Sequence, residues 1–250
     1  MEKSKTISIV HEATDFEPFV ILDKPRGLPS APLVSGEDSA LTQCARLYPD
    51  VKRVFGKKEI EYGLLHRIDT ETEGLLLICL TQEFYDKMLC VQNCDGFKKE
   101  YTAVCKKNLE CKQEGFPPFN ADFSAENTCS LNAVISSKFR AFGKKGALVR
   151  PVSSDSGKAA LKAATNREYK TNVSIELLEK NMLKASCSLT RGFRHQVRCH
   201  LAWASMPIVG DRLYNPKFKE SDYFCFWATG LSFINPITDK LFKISKHVAY

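Results

Sequence analysis

The amino-acid sequence predicts an α+β fold. Short apolar runs bounded by Gly, Pro and polar residues outnumber the helical patterns, the two kinds do not alternate as βαβ units would, and no internal repeat is visible. The 250 residues suffice for one large domain or two small ones, and a hydrophobic content of 44% fits a full core.

In chain order, Phe19–Leu22 (FVIL) reads as a short buried strand, stopped by Lys24-Pro25 and Gly27. Ser39–Tyr48 carries Leu41, Ala45 and Tyr48 at helical spacing, with Pro49 to end it. Leu75–Cys79 is strand-like by its continuous apolarity. Thr81 is placed to cap a helix over Glu83–Cys94, whose apolar face is Phe84, Met88, Leu89 and Val91. Tyr101–Cys105 reads as a strand between two lysine pairs. Residues 111–130 are rich in turn formers, and a loop insertion is expected near 108–150, its later part basic through Arg140, Lys144, Lys145 and Arg150. Val173–Leu178 and Leu183–Leu189 look like a hairpin turning at Glu179–Met182. Gly192 precedes a helix over His195–Ser205, which Pro207 terminates, and Phe224–Ala228 and Leu231–Ile234 supply two late strands. A single domain over 1–250 is expected.

The formal net charge of +7 suits a polyanion partner, and equally a protein kept soluble by its lysines. Ten cysteines are scattered through apolar contexts without a CxxC pair, and Cys90 with Cys94 is a helical spacing lacking a second pair. No structural zinc is expected, and the cysteines read as core residues of a reduced, intracellular, cytoplasmic protein. Neither a signal-peptide segment nor a membrane-spanning run is present in the sequence.

Three stretches carry chemistry. In LLHRIDTETEGLLLICL (64–80), charged residues adjoin a leucine run that must be buried, so a carboxylate there needs a partner or a function. Extended, Arg67, Asp69, Glu71 and Glu73 would share one face and suit Mg²⁺ or Mn²⁺, as in a metal-dependent nuclease. As a loop ending at Gly74, only one carboxylate need point inward, and an exposed acidic turn is the plain structural alternative. In LTRGFRHQVRCHL (189–201), His195, Arg198, Cys199 and Ala202 share a helical stripe, with Val197, Leu201 and Ala204 as the packing stripe. Gly192 would open a helix start able to receive a phosphate, and a solvated basic helix is the alternative. His200 is read as a packing residue. Tyr101, in KKEYTAVCKK, taken alone is most simply a core tyrosine.

Together these stretches resemble the RluA/RsuA-type pseudouridine synthases. HRID followed by TETEGLLL resembles that family's HRLDxxTSGLLL, and DKPRGL (Asp23–Leu28) resembles KPxGL. KKEYTAV resembles K-x-Y-x-A, and GFRHQVRCHLAWASMPIVGDRLY (Gly192–Tyr214) resembles GRTHQIRVHLA…GHPIVGDxLY. Glu73 stands where the family usually has serine, Phe193 where it has arginine, and Leu80 where lysine is common.

The resemblance implies the pseudouridine synthase fold, a long, bent, mainly antiparallel sheet flanked by helices and loops, without an S4-like module. It implies isomerisation of uridine in RNA, with Asp69 as the catalytic aspartate, Tyr101 as the active-site aromatic and Arg198 pairing with Asp69. By position in the motifs, Arg67, His66, Arg194, His195, Gln196, Lys24 and Lys99 are expected to bind substrate, and Lys98, Lys144 and Lys145 to meet phosphates. No metal, nucleotide or redox cofactor is implied. The expected partner is a stem-loop of tRNA or rRNA with its target uridine flipped out, not DNA or a membrane, and the protein is expected to be a monomer. A catalytically inactive RNA-binding or ribosome-assembly protein of the same fold is the alternative.

Overall fold

Each continuous apolar run named above lies in a strand, because a run apolar on both sides is stable only where a sheet is covered on both faces. The computed structural model describes residues 5–106, 114–119, 130–178 and 181–249. Most of the loop expected at 111–130, and Glu179 in the expected hairpin turn, lie outside the described residues. In order the elements are β1 (Ser8–His11), β2 (Phe19–Lys24), α1 (Ala40–Leu47), β3 (Glu73–Cys79), α2 (Gln82–Asn93), β4 (Lys98–Lys106) and β5 (Ser130–Phe142). There follow β6 (Leu148–Val152), α3 (Lys158–Lys162), β7 (Tyr169–Leu177), β8 (Met182–Leu189), α4 (Gln196–Trp203), β9 (Phe226–Ile234) and β10 (Leu241–Ser245). The fold class is α+β, as expected. Among the described residues no helix is long and apolar enough to cross a membrane.

The chain packs as two compact units, one comprising the residues up to Glu100 with Trp227–Ala249, the other Tyr101–Phe226. In the first, strands are ordered β1-β2-β3-β9, with β10 also on β9. β2 and β3 pair antiparallel from Phe19↔Cys79 to Lys24↔Gly74, and β3 meets β9 in parallel at Glu73↔Trp227 and Gly74↔Ala228. Phe19, Ile21, Leu75, Leu77, Phe84 and Phe97 fill the core, each such side chain contributing about 1.5–3 kcal/mol by leaving water. Thr81 Oγ1 accepts from Phe84 N and starts α2 as expected. Ser39 and Thr42 close a reciprocal capping box on α1. Pro49 does more than end that helix, since it opens a 3₁₀ turn over Pro49–Arg53.

In the second unit the order is β4-β8-β7-β5-β6. β5 pairs antiparallel with β7 from Ser130↔Glu176 to Ser137↔Tyr169, then with β6 from Lys138↔Val152 to Phe142↔Leu148. α4 packs on one face, where Val197 and Leu201 meet Ile135, Val173, Ala185 and Cys187.

Three expectations are corrected. Residues 130–142 and 148–152, placed in a loop insertion, are strands of a hairpin; the alternation of Ala133, Ile135, Ser137 and Phe139 was hidden because Ser137 interrupts the apolar row. That serine is buried and hydrogen-bonded to His200 Nε2 at 3.0 Å. The two late strands are one, β9. The helix expected from His195 begins at Gln196, with His195 at φ 55° in the left-handed region. All eight residues of α4 are buried, so it is not a solvated basic helix.

Candidate active site

The HRID segment is an irregular stretch leading into β3, and several backbone groups around Asp69 are tied down. His66 Nε2 accepts from Leu77 N at 3.2 Å, which fixes the proton on Nδ1. The ring packs edge-on to Phe97, and burial, then Lys99 and Lys57, lowers its pKa to about 3, so it is neutral. Ser30 Oγ donates to Ile68 O at 2.7 Å and accepts from Ile68 N at 3.1 Å. Asp69 O accepts from Thr72 N at 3.0 Å, closing a tight turn, and Thr70 O accepts from Gly27 N at 2.8 Å and Lys24 Nζ at 3.1 Å. The half-buried Asp69 side chain therefore projects from a backbone with little freedom.

Lys24, expected from its motif to bind substrate, is engaged within the fold. It is fully buried, and its ammonium is spent on Pro25 O, Leu28 O and Thr70 O. Burial pulls its pKa down to about 8, opposed by the nearby Asp69, Glu71 and Glu73. It fastens the DKPRGL segment to the turn carrying Asp69. Lys99 is likewise buried, over the Phe97 ring at 4.7 Å, with its pKa lowered by burial and Lys57 to about 7, so it is not an exposed phosphate contact. Arg67 is exposed and pairs with Glu61 at 3.2 Å. Glu73 is a strand residue engaged by Lys246 at 3.2 Å, and among the described residues no group of three or more His, Cys, Asp or Glu is arranged to hold a metal.

In the second unit, Arg198 forks onto Asp211, Nε to Oδ2 at 2.8 Å and Nη2 to Oδ1 at 2.7 Å, with both side chains buried. Asp211 also accepts from Leu213 N and Tyr214 N, so GDRLY is a carboxylate-centred turn. Tyr101 stacks on Phe226, ring centroids 5.4 Å apart, and Phe226 adjoins Phe224, which lies 5.0 Å below the Arg198 guanidinium. Tyr101 and Arg198 are thus joined through two phenylalanines. His195 Nδ1 meets the Tyr214 hydroxyl at 3.1 Å, and that hydroxyl accepts from Val149 N.

Gln196, expected to bind substrate, is buried, donating to Lys170 O and Thr171 Oγ1 and accepting from Phe193 N. Arg194 is exposed but donates to Gly146 O and Leu148 O, binding the β5–β6 turn. Phe193 stacks on Phe139 at 5.1 Å. Sequence reasoning missed Ser30 and Asp211. Asp211 stood in the GDRLY string, but nothing local linked it to Arg198, thirteen positions earlier in the chain.

The sequence model for RNA pseudouridylate synthase matches residues 18–203, most of the chain. The protein belongs to the RNA pseudouridylate synthase family. Relatives include ribosomal large subunit pseudouridine synthase D of Borreliella burgdorferi, 27% identical over 218 residues, covering 83% of this chain and 54% of the relative. An uncharacterized RNA pseudouridine synthase of Helicobacter pylori is 29% identical over 155 residues, covering 62% of this chain and 51% of its own. The chain spans about half the length of the curated relatives it matches. Among solved structures, human RNA pseudouridylate synthase domain containing 1 superposes with a TM-score of 0.66 at 16% identity, covering 99% of this chain and 86% of that one. The family's fold is therefore present at low sequence identity.

Proposed function

We propose that this family member isomerises uridine to pseudouridine in structured RNA, with rRNA the first candidate. The observation that carries the reading is the turn at Asp69, whose flanking peptides are held by Ser30, Lys24 and Gly27. The relatives named ribosomal large subunit pseudouridine synthase D support the substrate class. Asp69 is the catalytic carboxylate, Tyr101 the aromatic against which the uracil stacks, and Arg198 the arginine of the site; Arg67 and His195 contact the nucleotide. The whole chain acts as one catalytic domain, as a monomer. The reaction breaks the N1–C1′ bond and forms a C5–C1′ bond, so the proton on C5 is lost to solvent and N1, which carries none in uridine, takes one up. The base must leave its stack, a cost offset by stacking and edge contacts.

Transcripts of rRNA and tRNA carrying tritium at uracil C5 test this. The wild type is expected to release tritium to water in the presence of EDTA, and Asp69→Ala to release none while binding the same RNA. Intact binding without release by the wild type would overturn the enzymatic reading in favour of an inactive RNA-binding protein.

A further inference from the structure

Strand periodicity divides the second unit's sheet into two faces. Ile135, Ser137 and Phe139 point towards α4; Ser136, Lys138 and Arg140 point the other way. The pairing places Lys170 beside Ser136, and Arg150 beside Arg140, on that outer face. Lys138 and Lys170 are exposed and Arg140 and Arg150 half-buried. None of the four forms an ion pair with another described residue, and Glu176 on the same face is already taken by Lys184 at 3.1 Å.

The arginine pair is the informative feature. Arg140 and Arg150 are direct cross-strand partners, and both guanidinium groups lie against the Phe142 ring, at 5.7 and 3.2 Å from its centroid. Like charges directly opposite destabilise a hairpin. Burial, then Arg140, holds the Arg150 pKa below its ordinary value. Glu114 is near enough to favour the charged form of Arg150 and Gly115 lies against its guanidinium, but no described residue forms an ion pair with either arginine, so the two on one aromatic ring keep a net positive charge suited to an anion. Further along the same face, beyond Lys170, come the short polar side chains of Asn172, Ser174 and Ser186, which allow close approach to sugars and phosphates.

We infer that the outer face of the β5–β6–β7 sheet, centred on Arg140, Arg150, Lys138 and Lys170, is a second RNA docking surface that grips the phosphate backbone. The inference rests on the proposal that the chain acts on RNA. It adds a contact on the side of this sheet away from α4, which carries Arg198. Such a surface reads no base and gives affinity and orientation on a long RNA.

The test is the full chain carrying Lys138→Ala, Arg140→Ala and Lys170→Ala together, with binding to an rRNA transcript and to a short stem-loop measured over a salt series. The triple variant is expected to bind the long transcript about tenfold more weakly, with a log–log salt slope smaller by about two to three, since each lost phosphate contact removes roughly 0.9. Its turnover on the short stem-loop is expected to match the wild type. Arg140→Ala alone should weaken binding without lowering the melting temperature, because it relieves the repulsion with Arg150. Long-RNA affinity within about twofold and an unchanged slope would overturn the inference while leaving tritium release, and so the proposed activity, standing. A fall in melting temperature that accounts for the lost binding would assign the arginines to structure and overturn it as well.

Discussion

Arg198 and Asp211 form a buried two-point fork at 2.7 and 2.8 Å, with the guanidinium over the Phe224 and Tyr214 rings. The planar guanidinium matches the carboxylate in two parallel hydrogen bonds, and the remaining acceptor capacity of Asp211 goes to two backbone N–H groups. The arginine of the HQVR segment is therefore oriented by a residue of the GDRLY segment.

Asp211→Ala is accordingly expected to destabilise the protein by about 3–5 kcal/mol, the cost of removing one member of a buried ion pair. Urea unfolding followed by circular dichroism measures it. Arg198→Lys should not restore the wild-type value, since a lysine offers a point charge in place of a fork.

Ser30→Ala leaves both the N–H and the C=O of Ile68 without their partner beside Asp69. A loss of about 2 kcal/mol in stability is expected from groups left unsatisfied. Steady-state kinetics should show a lower kcat with KM nearly unchanged, because the serine holds the backbone next to Asp69, the proposed catalytic carboxylate. Equal changes in both constants would contradict that role.

Gly74 has φ +129°, and a Cβ there would lie 2.1 Å from Ala228 O, the strand it pairs with in parallel. Gly74→Ala should therefore unfold the protein or sharply lower its melting temperature. Gly157, where an added Cβ meets nothing within 4 Å, is the control, and Gly157→Ala should melt with the wild type.

His66 and His200 are both held neutral, with pKa values lowered to about 3, chiefly by burial. His200 lies between Ser137 Oγ and Thr171 Oγ1. Between pH 6.5 and about 3 the unfolded chain binds protons at these positions that the folded chain does not. Stability is therefore full above the unfolded pKa and falls as pH drops through that window, by about 1.4 kcal/mol per pH unit for each histidine. Urea midpoints across the window should show the slope, and His200→Gln should make it shallower.

The Asp69 stretch, the helix capped by Thr81 and the β7–β8 hairpin were legible because each is announced by contiguous residues: an apolar run, a cap at its spacing, an alternating pair. β5 was not, since Ser137 breaks its apolar alternation and its partner, His200, lies 63 residues away. The burial of Lys24 and Lys99 was hidden for a related reason. A lysine beside a motif looks like a ligand contact until its depth and its carbonyl acceptors are known.

By itself, then, the sequence determined the fold class, the family motifs and the candidate carboxylate, Asp69. The fold class follows from local pattern, and Asp69 from the ordered motifs that resemble the family. The tertiary structure alone decided which charges face solvent and which are consumed inside. Lys24 is spent on three carbonyls, Arg198 is matched to Asp211, and Arg140 and Arg150 face each other as half-buried cross-strand partners. Burial and partnering depend on segments far apart in the chain, and only folding brings those together.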